Sequence, residues 1–214
     1  NLFKPFFRND EIQKHWNECL DNGWTGLGFK TVQMEEEWKK YTGLPFAHFL
    51  NSNTSGLHLA VKVLKDANKW NEGDEIITSP LTFVASNHAI MYERMKPVFA
   101  DVDQHLCLDP EDVVRKITKK TKAIMFIGIG GNAGQFDKIV EICKQHKLKL
   151  ILDAAHMSGT FITRNGNVEH IGQDADVTVF SFQAVKNLPT SDSGMICFKN
   201  EDYDSLVRKL AWLG

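Results

Sequence analysis

Lys186 and Asp153 are the residues whose setting in the sequence points to chemistry. Lys186 closes the stretch Val177-Thr178-Val179-Phe180-Ser181-Phe182-Gln183-Ala184-Val185, which carries no other charge. A β-branched and aromatic run that ends on the Ser181 hydroxyl and then delivers an amine places a nucleophile at the end of a buried strand. About 30 residues upstream, a second apolar run, Leu148 to Leu152, ends on Asp153 and continues Ala154-Ala155-His156. Two buried strands, each ending on an ionisable group, read as an active-site rim. In that reading Lys186 is a covalent anchor for a cofactor and Asp153 tunes it.

Two further stretches carry candidate ligand chemistry. Asn51-Ser52-Asn53-Thr54-Ser55-Gly56 lies between the short apolar run Phe46 to Leu50 and the helical pattern of Leu57, Leu59, Ala60, Val63 and Leu64. Small polar residues opening a helix offer hydroxyls and free N–H groups to an anion, and they also make an ordinary helix cap. Gly128-Ile129-Gly130-Gly131-Asn132-Ala133 matches the dinucleotide-binding fingerprint, with Asp153 ending the next strand. As a nicotinamide site the glycines would meet a pyrophosphate and Asp153 a ribose. As a structural loop they would only let the chain turn. With a lysine-bound cofactor, Asp153 would instead pair with a ring nitrogen.

The elements that must position these groups alternate along the chain. Helical patterns cover Ile12, Trp16 and Leu20, then Val32 to Tyr41, a segment from Thr82 through Phe83, Ile90 and Met91, Pro110 to Ile117, Gln135 to His146, and Asp202 to Leu213. Between them lie the strand patterns Phe46–Leu50, Glu75–Thr78, Pro97–Val102, Lys122–Ile127, Leu148–Asp153, Val177–Phe182 and Met195–Phe198. Phe161 to Asp174 reads as an excursion between strands. Continuously apolar strands alternating with helices predict one α/β domain with a largely parallel sheet. Ligands of such sheets sit at the carboxyl ends of the strands, where Ser79, Asp153 and Ser181 fall.

Composition narrows the classes of function. The 214 residues hold 43% hydrophobic and 24% charged side chains, an ordinary globular balance, with a net charge of −2. That charge gives no electrostatic case for nucleic acid or an acidic membrane surface. The four scattered cysteines lack the paired spacing of a zinc site or disulfide framework, so no metal is expected. No apolar run reaches membrane-spanning length and no signal-peptide pattern opens the chain, which sets a cytoplasmic location as the expectation.

Taken together, the motifs resemble the DegT/DnrJ/EryC1/StrS sugar aminotransferases, pyridoxal-phosphate (PLP) enzymes of the aspartate aminotransferase fold type I. The resemblance is carried by Gly23-Trp24-Thr25-Gly26, Ser52 to Leu59, Pro80 to Ser86, Pro97 to Asp103, Asp153-Ala154-Ala155-His156 and Ser181 to Lys186, in the family's order. It implies a three-layer α-β-α large domain over residues 1–214, with a mostly parallel sheet containing an antiparallel strand. The family's smaller C-terminal domain is then absent from this chain.

The same resemblance implies roles. Lys186 would form the Schiff base with PLP and shuttle a proton, and Asp153 would keep the ring nitrogen protonated. Phe83 would stack on the ring and His156 would sit at its edge. Asn53, Thr54, Ser55 and Ser181 would hold the cofactor phosphate, and Thr25 and Gln183 would contact substrate. The implied partners are a nucleotide-linked keto-deoxysugar, an amino-acid donor (glutamate) and a second copy of the chain sharing the active site. Gly128 and Gly130 stand where the family carries histidine and tyrosine, and Gln183 where many members carry histidine. Rival readings are a PLP-dependent sugar dehydratase, in which histidine replaces the lysine, a nicotinamide oxidoreductase using Gly128–Ala133, and a regulator that keeps PLP without turnover.

Overall fold

The computed structural model describes residues 5–164 and 166–212. Among the described residues there are nine strands and seven α-helices, and from the first strand to the fifth they alternate as the sequence predicts. Helices α1 (Asn9–Asp21) and α2 (Phe29–Thr42) precede the first strand, β1 (Phe46–Leu50). Then come α3 (Asn53–Asn68), β2 (Glu75–Thr78), α4 (Val84–Tyr92), β3 (Lys96–Phe99), α5 (Pro110–Lys116), β4 (Thr121–Ile127), α6 (Phe136–His146) and β5 (Lys149–Ala154). The hairpin β6 (Phe161–Arg164) and β7 (Asn167–His170) leads to β8 (Val177–Ser181), β9 (Gly194–Phe198) and α7 (Glu201–Ala211).

Seven strands form one sheet in the order β1-β9-β8-β5-β4-β2-β3, and the excursion after β5 is the separate β6–β7 hairpin. β9 runs antiparallel to both its neighbours, β1 and β8, while the pairs β8–β5, β5–β4, β4–β2 and β2–β3 are parallel. The mostly parallel sheet with an antiparallel strand is therefore observed. Successive side chains alternate between its faces. Met125, Ile127, Ile151, Val177 and Val179 pack with Leu57, Val61 and Leu64 of α3, Ala89 of α4 and Val207 of α7. Ile124, Phe126, Leu150, Leu152 and Phe180 pack on the opposite face with Trp38 of α2, Val113 of α5 and Ile139 of α6. Two apolar cores on either side of one sheet make the three layers.

This alternation decides where the polar strand ends point. Asp153 pairs in register with Ile127 and Val179, so its carboxylate falls on the face covered by α3 and α4. Two glycines bring α3 down onto that face. A Cβ on Gly56 would lie 2.5 Å from Val179 Cγ1, and one on Gly194 would lie 2.6 Å from the Ser52 carbonyl carbon. Both side chains must be absent for the helix start to reach the sheet.

Several boundaries differ from the sequence pattern. Helix α4 starts at Val84, and Phe83 before it is extended, with φ −68° and ψ 145°. The third strand ends at Phe99, three residues before Val102. The amphipathic face of α1 is real, yet none of its residues is buried, and Ile12, Trp16 and Leu20 are each about half exposed. Leu213, placed in the last helix, and Asn165, placed in the excursion, lie outside the described residues.

Candidate active site

At the carboxyl edge of the sheet, the ends of β4, β5 and β8 and the start of α3 enclose a cavity of about 520 Å³. Of the residues singled out in the sequence, Asn53, Thr54, Phe83, Asp153, His156, Ser181, Gln183 and Lys186 line it. Ser55 does not: its hydroxyl donates to Asn51 Oδ1 (2.6 Å) and its N–H to Ser52 Oγ (3.1 Å), closing the first turn of α3. Thr25 is exposed in the turn between α1 and α2 and is not part of the cavity wall.

Asp153 is buried and holds three neutral donors. Ser86 Oγ donates to Oδ2 at 2.7 Å, while the Ala155 N–H (3.2 Å) and Asn53 Nδ2 (3.4 Å) donate to Oδ1. Burial pushes its pKa up, and these hydrogen bonds oppose the shift without cancelling it. Thr82 Oγ1 lies 2.8 Å from Ser86 Oγ. Because Ser86 gives its own proton to the carboxylate, Thr82 is the donor in that pair, and a two-hydroxyl chain runs from the cavity wall to the acid. Asn53 also donates to the Val179 carbonyl at 3.2 Å, so its amide ties α3 to β8 and to Asp153.

Lys186 sits on a folded-back loop between β8 and β9. Phe182 N–H donates to Ser193 O at 2.9 Å, Thr190 N–H to Phe182 O at 2.8 Å and Ala184 N–H to Ser191 O at 2.8 Å. Ser191 takes a left-handed φ of 83° to close it. Gln183 turns its Oε1 onto the Val185 N–H at 3.0 Å, which leaves its amide nitrogen for a ligand. Lys186 Nζ lies 2.8 Å from His156 Nε2. Burial lowers the Lys186 pKa, with Asp153 acting in the opposite direction. Burial, and then the Lys186 charge, lower that of His156.

The start of α3 supplies the third component. Ser52 is its N-cap and no acidic residue occupies its first turn, so the positive end of a 16-residue helix is left for an external anion. Ser52, Thr54 and Ser181 flank that end in the cavity wall. A flat aromatic cofactor carrying a phosphate, an aldehyde and a ring nitrogen fits this donor set. The helix start and hydroxyls suit the phosphate, the amine suits the aldehyde, and a buried acid with only neutral donors suits a protonated ring nitrogen.

The glycine motif has a different geometry from a dinucleotide cradle. Ile129–Gly131 form a single 3₁₀ turn, and α6 begins only at Phe136. The glycines therefore do not open α6, as the fingerprint requires. The side chains that sequence reasoning missed are Thr82, Ser86 and Asp192, which line the cavity with the others, as does Ser52 of the small polar run. The signal for Thr82 and Ser86 was the motif Pro80 to Ser86 that contains them, although Thr82 precedes the first residue of α4.

A sheet edge that gathers an amine, a buried acid and an open helix start is the architecture of a type I aminotransferase fold. The DegT/DnrJ/EryC1/StrS aminotransferase family profile matches residues 8–214, and the chain belongs to that family. The spore coat polysaccharide biosynthesis protein SpsC of Bacillus subtilis is 36% identical over 211 residues, covering 98% of this chain and 52% of SpsC. GDP-perosamine synthase of Vibrio cholerae is 34% identical over 197 residues, covering 91% of this chain and 51% of that protein. The structure of NtdA from Bacillus subtilis with bound cofactor PMP superposes with a TM-score of 0.86 at 27% identity, covering 98% of this chain and 47% of NtdA. The chain spans about half the length of the curated relatives it matches. Among the described residues no helix is long and apolar enough to cross a membrane.

Proposed function

We propose that residues 1–214 are the cofactor-binding large domain of a PLP-dependent aminotransferase that converts a nucleotide-linked keto-deoxysugar to an aminosugar, with glutamate as donor. The observation that carries this reading is the pairing of a buried acid, Asp153, with an amine of lowered pKa, Lys186, on one cavity. The sugar-nucleotide activity of the Vibrio relative and the PMP bound in NtdA support it.

The residues divide the work. Ser52, Thr54, Ser181 and the N–H groups at the start of α3 bind the phosphate. Asp153 keeps a proton on the ring nitrogen, and Ser86 and Asn53 hold the acid in place for this. Phe83, 77% exposed at the cavity edge, would be the aromatic contact to the ring, and His156 would be a further contact to it. When bound, PLP would supply the electron sink for moving an amino group from the donor to the sugar ketone. Lys186 would be the amine that holds the cofactor and the acid–base group for the proton at the substrate carbon that bears nitrogen. Gln183 contacts the sugar, Thr25 belongs to the substrate side, and a smaller C-terminal domain and a second copy complete the pocket. The enzyme is a cytoplasmic homodimer in this reading. A lysine at position 186 separates it from the dehydratases that carry histidine there.

The test is made on the full-length protein. It should bind PLP with an absorbance band at the visible edge, and Lys186→Ala should abolish the band and lower turnover by about a thousandfold or more. Product masses from a panel of nucleotide ketosugars should show gain of an amine. A full-length protein that takes up no PLP sinks the proposal.

A further inference from the structure

The glycine motif is not used by the proposed function, and its contacts lead to His156. Gly130 N–H donates to His156 Nδ1 at 3.1 Å, and His156 Nε2 lies 2.8 Å from Lys186 Nζ. We propose that the Gly128–Gly131 turn and His156 form a tautomer clamp that presents Lys186 as an unprotonated amine to an incoming carbonyl compound.

The argument is one of proton counting. A neutral imidazole has one N–H and one bare nitrogen. Nδ1 accepts from Gly130, so Nε2 carries the hydrogen, and Lys186 Nζ must accept it. An ammonium has no lone pair and cannot. An ammonium donating to Nε2 would require both ring nitrogens to be bare, and an imidazolium would set N–H against the N–H of Gly130. Only the neutral amine satisfies both contacts.

The turn is built to hold this position. Gly130 and Gly131 have φ of 64° and 83°, which L side chains rarely adopt. A Cβ on Gly131 would lie 3.0 Å from the His156 carbonyl oxygen, and one on Gly128 would lie 2.1 Å from Met157 Sδ. Thr160 Oγ1 donates to Gly131 O at 2.9 Å. The turn is thus hydrogen-bonded at one end to the segment after His156 and closely packed on Met157 at the other. The titratable residues lining the cavity are Asp153, His156, Lys186 and Asp192. Asp153 favours the protonated lysine, whereas burial disfavours it more strongly. Gly130 is a positioning residue here, acting on the amine through His156. Identifying the carbonyl compound as PLP rests on the function proposed above, whereas the clamp itself does not.

The experiment uses full-length protein stripped with hydroxylamine and dialysed. Long-range ¹H–¹⁵N correlation at pH 7.5, with His156 assigned by its loss in His156→Phe, should show a protonated Nε2 and a bare Nδ1. An Nδ1–H tautomer or an imidazolium overturns the clamp. Trace labelling with acetic anhydride, read by peptide mass spectrometry, then follows the amine. The pH midpoint of Lys186 labelling should lie at least about one unit below that of the exposed Lys119. His156→Phe should raise it by about half a unit or more, the effect of losing one hydrogen bond to the neutral amine. An unchanged midpoint in His156→Phe overturns the proposal even if the tautomer is as expected. A protein that shows the clamp and takes up no PLP refutes the proposed function alone. One that takes up PLP with His156 in the other tautomer refutes the clamp alone.

Discussion

Two buried carboxylates in this chain are treated in opposite ways. Glu35, on α2 against the edge strand β1, accepts from the Phe49 N–H at 2.8 Å and faces His48 at 3.2 Å and Arg208 of α7 at 3.2 Å. Burial raises its pKa, yet the hydrogen bonds from His48 and Phe49 and the Arg208 charge outweigh burial and leave it lowered. Asp153 has as many donors, all neutral, and its pKa is raised. One acid is neutralised by its own protein and fastens two helices to a strand. The other is left in need of a cation, and the cavity beside it is where that cation can come from. Burial alone does not mark a functional acid. What marks it is burial without a counter-charge.

Exchanging each acid for its amide separates these cases. Asp153→Asn should lower turnover of the full-length enzyme by about a hundredfold or more, with the cofactor-free protein as stable as wild type or about 1 kcal/mol more so. A clear loss of stability would place Asp153 with Glu35. Glu35→Gln should do the reverse, costing about 2 kcal/mol in denaturant titration with PLP affinity unchanged, the cost being moderated because Arg208 is 44% exposed and keeps Asp204. Ser86→Ala should be intermediate. It removes the 2.7 Å donor to Asp153, so turnover should fall about tenfold, and the pH at which the acid titrates, followed by the carboxyl carbon resonance, should move up.

The smallest effect, in pH, sharpens the contrast most. A lowered acid contributes stability that is complete above the ordinary glutamate value of about 4.5 and is lost as pH falls through its folded pKa. The gap between wild type and Glu35→Gln should therefore be full at neutral pH and close below about 4.5. A raised acid has the other sign: stability is greatest below its unfolded pKa and is lost as pH rises through the folded one. Any advantage of Asp153→Asn should appear only on that rise. Urea midpoints of the cofactor-free proteins between pH 4 and 7.5, roughly the range in which folds hold, check both signs.

The sheet and much of the site were readable because both rest on strand ends. Continuous apolar runs mark β4, β5 and β8, and the groups at or beyond their ends, Asp153, His156, Ser181 and Lys186, meet because parallel neighbours finish together. The side of the sheet to which Asp153 turns is set by register with Ile127 and Val179, which the pattern does not encode. For the same reason Ser86 gave no sign that it would reach Asp153 from a helix 67 residues earlier. Asn53 was expected at a phosphate and is seen binding the acid and a strand carbonyl. Its neighbour Ser55 closes its own helix turn, as residues of its type also do at ordinary caps. Thr25 lies on a stretch whose face of contact no local pattern specifies, since α1 beside it buries none of its residues.

The amide of Asn53 has partners 100 and 126 residues further along the chain. Gly194, whose missing side chain lets α3 approach the sheet, comes later still. On a ribosome, then, the first strand and the helix after it are made well before β8 and β9, against which they pack. Contacts of such separation form slowly, and β1 has only β9 as its partner in the sheet. The candidate site is thus among the last parts of this domain to be assembled during synthesis, and a nascent chain stalled before β9 would carry Asp153 and Lys186 before β1 has its strand partner.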